Sequence, residues 1–204
     1  MAVKQTDLDK LPEKYQLFCR EITDFIPGKR IFADPIRRVA YGVDASLYRI
    51  TPKLVVKVRT PAEVAEIMKT AARHAVPVTF RAAGTSLSGQ ALSDSVLLVL
   101  AGGWSRYTIA NDGQTISLEP GIIGSDANVY LKPYARKIGP DPASINHCMI
   151  GGIAANNASG MCCGTTDNSY KTIAAMKLIF ADGTMLDSAD GSSCRQFIAD
   201  HPQL

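Results

Sequence analysis

The sequence predicts an α+β fold made of two α/β subdomains: a small parallel βαβ unit, then a larger, mainly antiparallel sheet with helices. Two β-branched segments, at 53–60 and 76–81, enclose a helical pattern, and a strand, helix and strand within about 30 residues form a parallel unit. An apolar segment at 95–102 suits a third strand buried on both faces. Further along, alternating segments flank turns at 111–113 and 181–183, and such glycine turns favour antiparallel hairpins.

Composition and charge narrow the class of protein. The 204 residues carry a net charge of +3, with 46% hydrophobic and 20% charged residues, which is typical of a globular protein of one or two domains. Basic residues are scattered, which argues against a nucleic-acid-binding protein. The polar start of the chain lacks the apolar core of a signal peptide, and no apolar run approaches the about 18 residues of a membrane span. We therefore expect a cytoplasmic protein with no transmembrane segment.

The N-terminal 50 residues are predicted to form one helix and a surface loop. Apolar residues three or four apart, at Leu11, Tyr15, Phe18, Ile22 and Phe25, predict an amphipathic helix over about residues 12–25. The breakers Pro27 and Gly28 end this helix. The segment that follows, 29–46, has no sustained period and several breakers, which is typical of a loop.

The next helix has a clear start signal. Thr60 is suited to the N-cap, Pro61 to the first helical position and Glu63 to the third, as in a capping box. This helix should bury one face against the sheet, with the side chains of Val64, Ile67, Met68 and Ala71. A further helix is expected near 125–135.

We divide the chain into three parts. These are residues 1–50, a first ligand-binding subdomain at 51–103 and a second at 104–204. The chain ends in "ADHPQL" without a distinct closing element, so the second subdomain is expected to be truncated.

The segment "RAAGTSLSGQ", residues 81–90, predicts a phosphate-binding loop. It follows a parallel strand, and ligands in open α/β sheets bind beyond the carboxyl ends of strands. Gly84 and Gly89 have P-loop spacing, but Gln90 and Ala91 replace the Lys and Ser/Thr that contact the β/γ-phosphates and Mg²⁺. The pattern therefore favours a diphosphate held by backbone over an ATP site. A tight connection without any ligand is the alternative.

A second small-residue segment, 140–164, strengthens the ligand hypothesis. It is rich in Gly, Ala, Asn and Ser and almost free of charge. Glycine loses more backbone entropy on folding than other residues and offers no side-chain contact, so packing alone explains such a run poorly. Two runs of this kind predict a ligand that lies directly on the backbone, with N–H groups forming an anion nest.

The cysteines and histidines give weaker signals. The five cysteines include no C-x-x-C pair, and adjacent Cys162 and Cys163 are poorly spaced for one metal, so we expect buried or incidental thiols, with a redox-active pair as the alternative. His147 lies in the second small-residue segment and could touch a ligand, whereas His74 lies in a helix that is expected to pack on the sheet and is given a structural role.

Trp104 and Asp44 are both predicted to have structural roles. Trp104 fits a core position better than a stacking role. Asp44 is interpreted as a turn or cap residue.

Six motifs taken in order carry a resemblance to a known family. They are "RAAGTSLSGQAL", "LEPG", "GPDPAS", "MIGGIAANNASG", "CGTTDNS" and "LIFADG". Together they resemble the FAD-binding (PCMH-type) domain of the vanillyl-alcohol oxidase and p-cresol methylhydroxylase superfamily. The likeness is strongest to its branch of D-lactate dehydrogenase, the glycolate oxidase subunit and D-2-hydroxyglutarate dehydrogenase, and it covers about residues 40–190. In this family FAD lies extended between two α/β subdomains.

The resemblance implies a set of cofactor-binding residues. The FAD diphosphate is expected at Arg81, Ala82, Ala83, Gly84, Thr85 and Ser86, with Gln90 nearby. The flavin and ribityl chain are expected at Gly121, Pro142, Ser144, Gly151, Gly152, Ala155, Asn157 and Gly160. The backbone of Ile179 is expected to meet the adenine. Some relatives attach FAD covalently through a His in the first loop, where this chain has Ser86, so non-covalent FAD is expected.

The resemblance also implies a reaction. It predicts an FAD-dependent dehydrogenase or oxidase that oxidises a D-2-hydroxy acid by hydride transfer to flavin N5. The catalytic base and carboxylate-binding residues belong to a C-terminal substrate domain of relatives, outside these residues, so this piece alone is expected to be inactive. An iron–sulfur module is one candidate electron acceptor. The parent protein is expected to be cytoplasmic, with a peripheral position at the inner membrane as the alternative. The alternatives are a non-catalytic FAD-holding module that serves a partner chain, and an interaction protein without nucleotide.

Overall fold

The computed structural model describes residues 5–203, so part of the polar N-terminus used to exclude a signal peptide lies outside the described residues. A short helix α1 (Gln5–Leu8) precedes α2 (Glu13–Ile22), which buries Tyr15, Phe18, Cys19 and Ile22. Helix α2 is shorter than predicted at its C-terminal end. Pro27 restricts the residue before it and cannot donate a backbone hydrogen bond, so the last residues of the predicted helix form a turn.

The prediction of a loop over 29–46 was wrong. A 3₁₀ turn at Gly28–Arg30 leads into β1 (Ile31–Phe32), which pairs antiparallel with the strand at Leu54–Val58, and α3 (Pro35–Ala40) follows. Helix α3 begins at a Pro whose preceding residue, Asp34, caps it by accepting a hydrogen bond from Arg37 N at 3.0 Å. The cap signal was in the sequence, but six residues are too few to show a helical period.

The predicted βαβ unit is confirmed. It consists of β2 (Leu54–Val58), α4 (Pro61–Arg73) and β3 (Val78–Arg81), followed by β4 (Val96–Leu100). Strand β4 lies between β2 and β3 and is parallel to both, so the sheet order is β1-β2-β4-β3. The cap of α4 is as predicted, because Thr60 Oγ1 accepts a hydrogen bond from Glu63 N at 3.2 Å.

The central strands of this sheet, β2 and β4, are buried on both faces. One face packs on α2 and α4 through a cluster that includes Leu54, Val56, Leu98, Phe18 and Ile67. The opposite face has a smaller cluster, formed by Phe32, Val55, Leu97 and Val99 with Tyr41 packed against it. Trp104 belongs to the first cluster, and its indole Nε1–H donates to Val58 O at 2.9 Å, which confirms a core position.

A first antiparallel hairpin follows the sheet, as predicted. It pairs β5 (Tyr107–Ala110) with β6 (Thr115–Leu118). Its turn contains three residues with positive φ: Asn111 (52°), Asp112 (51°) and Gly113 (78°). Asn, Asp and Gly are the residues that adopt this conformation most readily, so the turn chemistry fixes the hairpin.

Three helices connect the two hairpins of the second half. Helix α5 (Gly124–Leu131) confirms the predicted helix, whereas α6 (Ile150–Ala155) and α7 (Ser169–Thr172) were not predicted. Helix α6 lies inside the second small-residue segment, where small side chains hide any helical period.

The end of the described chain contains a hairpin and one further helix. Strands β7 (Lys177–Ile179) and β8 (Met185–Asp187) form the predicted pair, and α8 (Gly191–Asp200) was not expected. Helix α8 packs on β8, and the rings of Phe180 and Phe197 stack with centroids 4.7 Å apart. Helix α8 is therefore packed by tertiary contacts, in a segment where no element was predicted.

The mixed α+β architecture agrees with the predicted fold class, with one difference. Among the described residues, the antiparallel strands of the second half form two separate two-stranded hairpins and not one larger sheet. The 58 residues between the hairpins, 119–176, form helices and turns. No described strand in this segment pairs with either hairpin to join the two into one sheet.

Candidate functional site

The loop at residues 82–90 follows β3 at the carboxyl end of the parallel strands. Gly84 (φ 74°) and Gly89 (φ 72°) both adopt the left-handed conformation that favours glycine. Within the described chain, none of the backbone N–H groups of residues 83–87 donates a hydrogen bond to another residue. Successive free N–H groups in a turn form an anion nest, so the loop presents donors to a ligand.

The side chains of Ser86 and Gln90 shape this loop. Ser86 Oγ donates to Gln90 Oε1 at 2.9 Å and accepts from Ser88 N and Gln90 N at 3.2 and 3.3 Å. These contacts fold the loop back on itself, and they leave the N–H groups before Ser88 unused.

Arg81 supports the loop from within the protein. It is 7% exposed, and its guanidinium donates through Nε and Nη2 to Ala91 O at 2.9 and 2.7 Å. Burial lowers the pKa of Arg81, and the nearby charge of Asp44 opposes that shift. The buried guanidinium therefore ties the two ends of the loop together.

Three glycines of the predicted site are required by contacts within the protein. A Cβ at Gly121 would lie 2.7 Å from Trp104 O, and one at Gly151 would lie 2.8 Å from Pro120 Cβ. At Gly160 a Cβ would collide with the carboxylate and the backbone carbonyl of Asp141. Close packing of backbone therefore accounts for these glycines, whatever ligand the segment holds.

Gly152 is different, because its missing side chain leaves open space. A Cβ at this position would meet only Ala82 Cβ, at 4.0 Å. Gly152 belongs to α6, and Ala82 begins the first loop. The two small-residue segments therefore face each other here across a gap that a side chain would fill.

A second contact joins the two segments. Gln90 Nε2 donates to Asn156 Oδ1 at 3.2 Å. Sequence reasoning missed Asn156 and selected its neighbour, Asn157, which turns toward the protein: its Oδ1 accepts from Tyr170 N at 2.9 Å. The sequence shows Asn156 and Asn157 side by side, and only the structure shows that Asn156 contacts Gln90 whereas Asn157 contacts Tyr170.

The other predicted residues fall into two groups. Pro142 and Ser144 lie in a tight turn. Pro142 O accepts from Ile145 N at 2.8 Å, and Ser144 O accepts from His147 N at 2.7 Å. Ala155 is exposed at the end of α6. Ile179 lies elsewhere, on β7, packed against the core beside α4.

Two concavities accompany these elements. An apolar cavity of about 320 Å³ lies at the C-terminal end of α4 and includes Ala181, two residues from Ile179. A larger, open concavity of about 650 Å³, lined by Lys132, Arg136 and Lys137 among others, includes none of the predicted site residues.

Two cysteines near the site, Cys162 and Cys163, and the more distant His74 have structural partners. The carboxylate of Asp141 accepts from Cys162 N and Cys163 N at 3.2 and 3.1 Å, and these backbone hydrogen bonds lower the pKa of Asp141. The same carboxylate raises the pKa of the Cys162 thiol, which disfavours a reactive thiolate. His74 lies 2.8 Å from Glu21 Oε2, and His147 is exposed.

Residues 5–203 contain neither a candidate metal site nor a helix that could span a membrane. No group of three or more His, Cys, Asp or Glu side chains there is placed to hold a metal ion. No helix in the same range is both long and apolar enough to cross a bilayer.

The free N–H groups of 83–87 and the open space at Gly152 fit an elongated ligand with a diphosphate and a flat ring, which FAD has. Fold and site together define an α+β domain that binds a nucleotide cofactor. The profile of a family described as FAD binding domain matches residues 52–189. The chain belongs to this FAD-binding family, and the resemblance found in the sequence is confirmed.

Two similar curated proteins are named as an oxidase subunit for glycolate and a dehydrogenase for D-2-hydroxyglutarate. Glycolate oxidase subunit GlcD of Escherichia coli (strain K12) is 34% identical over 145 residues, which are 70% of this chain and 29% of the relative. D-2-hydroxyglutarate dehydrogenase of the same strain is 27% identical over 155 residues, 74% of this chain and 15% of the relative. The chain thus spans less than a third of the curated relatives described here.

Solved structures show the same fold at low identity. Alkyldihydroxyacetonephosphate synthase has a TM-score of 0.73 at 18% identity, covering 91% of this chain and 36% of that one. 6-Hydroxy-D-nicotine oxidase from Arthrobacter nicotinovorans has a TM-score of 0.67 at 16% identity, covering 80% and 36%. The predicted fold class is therefore confirmed.

Proposed function

We propose that this chain is the FAD-holding domain of a flavin-dependent oxidoreductase that oxidises a D-2-hydroxy acid of the lactate, glycolate or 2-hydroxyglutarate type. The observation that carries the proposal is the set of unpaired N–H groups at 83–87, in a loop whose first residue, Ala82, borders the open space at Gly152. The names of the relatives support the substrate class. When bound, FAD would supply the hydride acceptor, flavin N5, and the protein would supply binding and orientation.

The diphosphate is assigned to the first loop. The backbone from Ala82 to Ser86 would donate hydrogen bonds to its oxygens, with the hydroxyl of Thr85 at hand and Arg81 holding the loop in place. Gln90, bonded to Asn156, would close the loop onto the second segment. Because no Lys occupies the P-loop position, this loop binds a diphosphate without transferring a phosphoryl group.

The organic ends of FAD are assigned to the second half of the chain. The open face of Gly152, with Gly151 and Ala155 on the same helix, would receive the ribityl and flavin part. Gly121, Pro142, Ser144, Asn157 and Gly160 would form the surrounding backbone, as the family resemblance implies. The adenine would reach the backbone of Ile179, beside the apolar cavity at Ala181.

The division into subdomains at 51–103 and 104–204 follows from this arrangement, with FAD between them. The catalytic base, the carboxylate-binding residues and the electron acceptor, for which an iron–sulfur module is one candidate, are assigned to parts of the parent protein outside these residues. Without a base and a substrate site, the 204-residue chain would hold FAD and oxidise nothing.

The test separates cofactor binding from folding. We expect the purified chain, reconstituted with FAD, to show flavin absorbance with about one FAD per chain. Gly152→Leu should fill the open space and weaken FAD binding by at least about 100-fold, equivalent to about 2.7 kcal/mol. Gly191→Leu is the matched control, because a Cβ there meets only Arg195 Nη1 at 3.5 Å.

The outcomes are distinct. A colourless wild-type protein that gains no stability with FAD would overturn the proposed function. Unchanged affinity in Gly152→Leu, with urea unfolding also unchanged, would remove the second segment from the site.

A further inference from the structure

The hairpin loop at residues 42–50 packs directly on the first small-residue loop. It is closed by a bridge between Val43 and Arg49, and Ala45 N–H donates to Gly84 O at 3.0 Å. The ring of Tyr48 covers Gly89, where an added Cβ would lie 2.9 Å from Tyr48 Cδ2. The hairpin loop therefore contacts both glycines that shape the proposed diphosphate loop.

Asp44 lies at the centre of this contact. Its Oδ1 accepts from Ser46 N at 2.8 Å, which confirms the predicted turn role. Its Oδ2 is buried and has no hydrogen-bond partner among the described residues. A turn needs only one carboxylate oxygen, so the turn role leaves the second oxygen, and the negative charge, unexplained.

Arg81 is the buried cation on the other side of Gly84. A Cβ added at Gly84 would lie 3.5 Å from Arg81 Cδ and 3.8 Å from Asp44 Cβ, so the two side chains flank the same glycine. Arg81 donates only to the neutral Ala91 carbonyl, and in the described chain no carboxylate lies within ion-pair distance of it. Burial lowers the pKa of Arg81, and the charge of Asp44 acts in the opposite direction.

We propose that Asp44 is a positioning residue for the cofactor: its carboxylate, whose Oδ2 is buried, serves as the counter-charge of Arg81 and thereby fixes the loop that offers its N–H groups to the diphosphate. A buried charge is strongly disfavoured unless an opposite charge is close, and neither charge here has a direct partner. Gly84 permits the approach because it has no side chain between them. This inference rests on the proposed function, in that the positioned loop is taken to hold FAD.

Simple electrostatics predicts the opposite effect, which makes the inference testable. A carboxylate near a diphosphate repels it, so removing the charge without moving the loop should tighten binding. If Asp44 positions the loop through Arg81, removing the charge should weaken binding instead. The sign of the change in affinity therefore separates the two roles.

The experiment compares Asp44→Asn with Asp44→Ala in FAD titrations of the whole chain, followed by flavin fluorescence. Asn keeps an oxygen that can accept from Ser46 N, so the turn survives, whereas Ala removes both the turn and the charge. We expect both variants to bind FAD at least about tenfold more weakly than wild type. Asp94→Asn, which removes an exposed carboxylate just beyond the loop, should change the affinity by less than about twofold.

The contrary results are specific. If Asp44→Asn binds FAD like wild type and Asp44→Ala binds it weakly, then Asp44 acts only through the turn and its charge has no role. Tighter binding by Asp44→Asn would show that its charge only repels the diphosphate. Either result overturns the inference.

A second measurement needs no FAD and keeps this inference separate from the proposed function. Urea unfolding of the apo chain is measured for Asp44→Asn, Arg81→Gln and the double variant. Coupled charges predict that the double variant loses clearly less stability than the sum of the two single losses. Additive losses would overturn the coupling. A wild-type chain that fails to bind FAD would overturn the proposed function and the cofactor role of Asp44, and coupled losses in the apo chain would then leave only its pairing with Arg81 standing.

Discussion

Gly160 lies against both the carboxylate and the backbone carbonyl of Asp141, and the carboxylate also accepts the N–H groups of Cys162 and Cys163. Asp141 therefore organises the turn at 160–164 from a position about twenty residues earlier in the chain. In the sequence, the only signal at Gly160 is that its neighbours are also small residues. The reason, a carboxylate inserted under the turn, depends on tertiary structure.

Gly160→Ala should destabilise the apo chain by about 1–3 kcal/mol, because a methyl group there forces Asp141 out of place. Urea unfolding monitored by circular dichroism measures the change. Gly102→Ala is the control, since a Cβ at Gly102 has nothing within 4 Å, and it should stay within about 0.5 kcal/mol of wild type. Equal stability of the two variants would contradict the packing role of Gly160.

Residue-level predictions from sequence succeeded where local chemistry decides and were limited elsewhere. The cap at Thr60 and the turn at Asn111 to Gly113 depend on neighbours in the chain, so both could be predicted. The contact between Gln90 and Asn156 joins residues 66 positions apart, and no local rule selects Asn156 over Asn157.

At the level of elements, the Arg30 and Glu63 ion pair connects the N-terminal segment to helix α4. Two hydrogen bonds, Nη1 to Oε2 at 2.8 Å and Nη2 to Oε1 at 2.7 Å, form a bidentate pair whose side chains are 9% and 17% exposed. Glu63 also accepts from Arg59 N at 2.8 Å. One carboxylate thus fixes both the start of α4 and its contact with the turn before β1.

Glu63→Gln should cost about 3 kcal/mol of unfolding free energy, because it leaves Arg30 buried without its counter-charge. Glu66→Gln on the same helix is the control. Its partner Lys69 is exposed, as is Glu66, and such surface pairs contribute at most about 1 kcal/mol. If both variants unfold at the same urea concentration, the buried pair is not a stabilising element.

Hydrophobic period predicted the elements that bury a regular apolar face and missed helices that do not. Helix α4 and strands β2 and β4 bury regular apolar faces, so their patterns are strong. Helices α3 and α8 bury no residue fully, so their sequences show little period. Capping by Asp34 and Asp190 marks both starts, but caps alone occur in many turns.

The contact between α8 and the turn of the β7–β8 hairpin should respond to pH. His201 Nε2 lies 3.3 Å from Asp182 Oδ2, and this contact raises the pKa of His201 above its ordinary 6.5. Hydrogen bonds from Thr184, and then His201, lower the pKa of Asp182 to about 2. The contribution of His201 to the free energy of unfolding is complete below pH 6.5 and disappears as the pH rises through the raised pKa. The contribution of Asp182 is complete above its ordinary pKa of 3.8 and disappears as the pH falls toward 2.

NMR titration of the His201 ring should therefore give a pKa above 6.5, and Asp182→Asn should lower it. Asp112→Asn, in the turn of the other hairpin, should leave the His201 titration unchanged. An unaltered His201 pKa in Asp182→Asn would rule out the contact as its cause.

For the whole molecule, the candidate site depends on bringing two distant segments together. Ala82 and Gly152 are separated by 70 positions and come within contact of each other, and Gln90 reaches Asn156. The sequence predicted both segments as ligand-binding because each is rich in small residues, and the family resemblance implied that they converge. Their convergence itself depends on how the sheet and α6 pack, which no periodicity encodes.

Binding of FAD across these two segments should stabilise the folded chain as a unit. At a free FAD concentration of about 100 times Kd, linkage predicts about 2.7 kcal/mol, which for a chain of this size raises Tm by roughly 5–10 °C. Thermal unfolding with and without FAD measures the shift. FMN, which lacks the AMP half, should give a smaller shift, because it spans only one end of the site.

Ser86 occupies the loop position where some relatives carry the His that attaches FAD, so the cofactor should leave when the fold is lost. After acid precipitation of the reconstituted chain, all flavin absorbance is expected in the supernatant, and the protein mass should equal that of the unmodified sequence. Flavin that stays with the pellet and adds to the protein mass would contradict non-covalent binding. The comparison is informative because backbone N–H groups hold a diphosphate only while the loop keeps its shape, whereas a covalent bond survives unfolding.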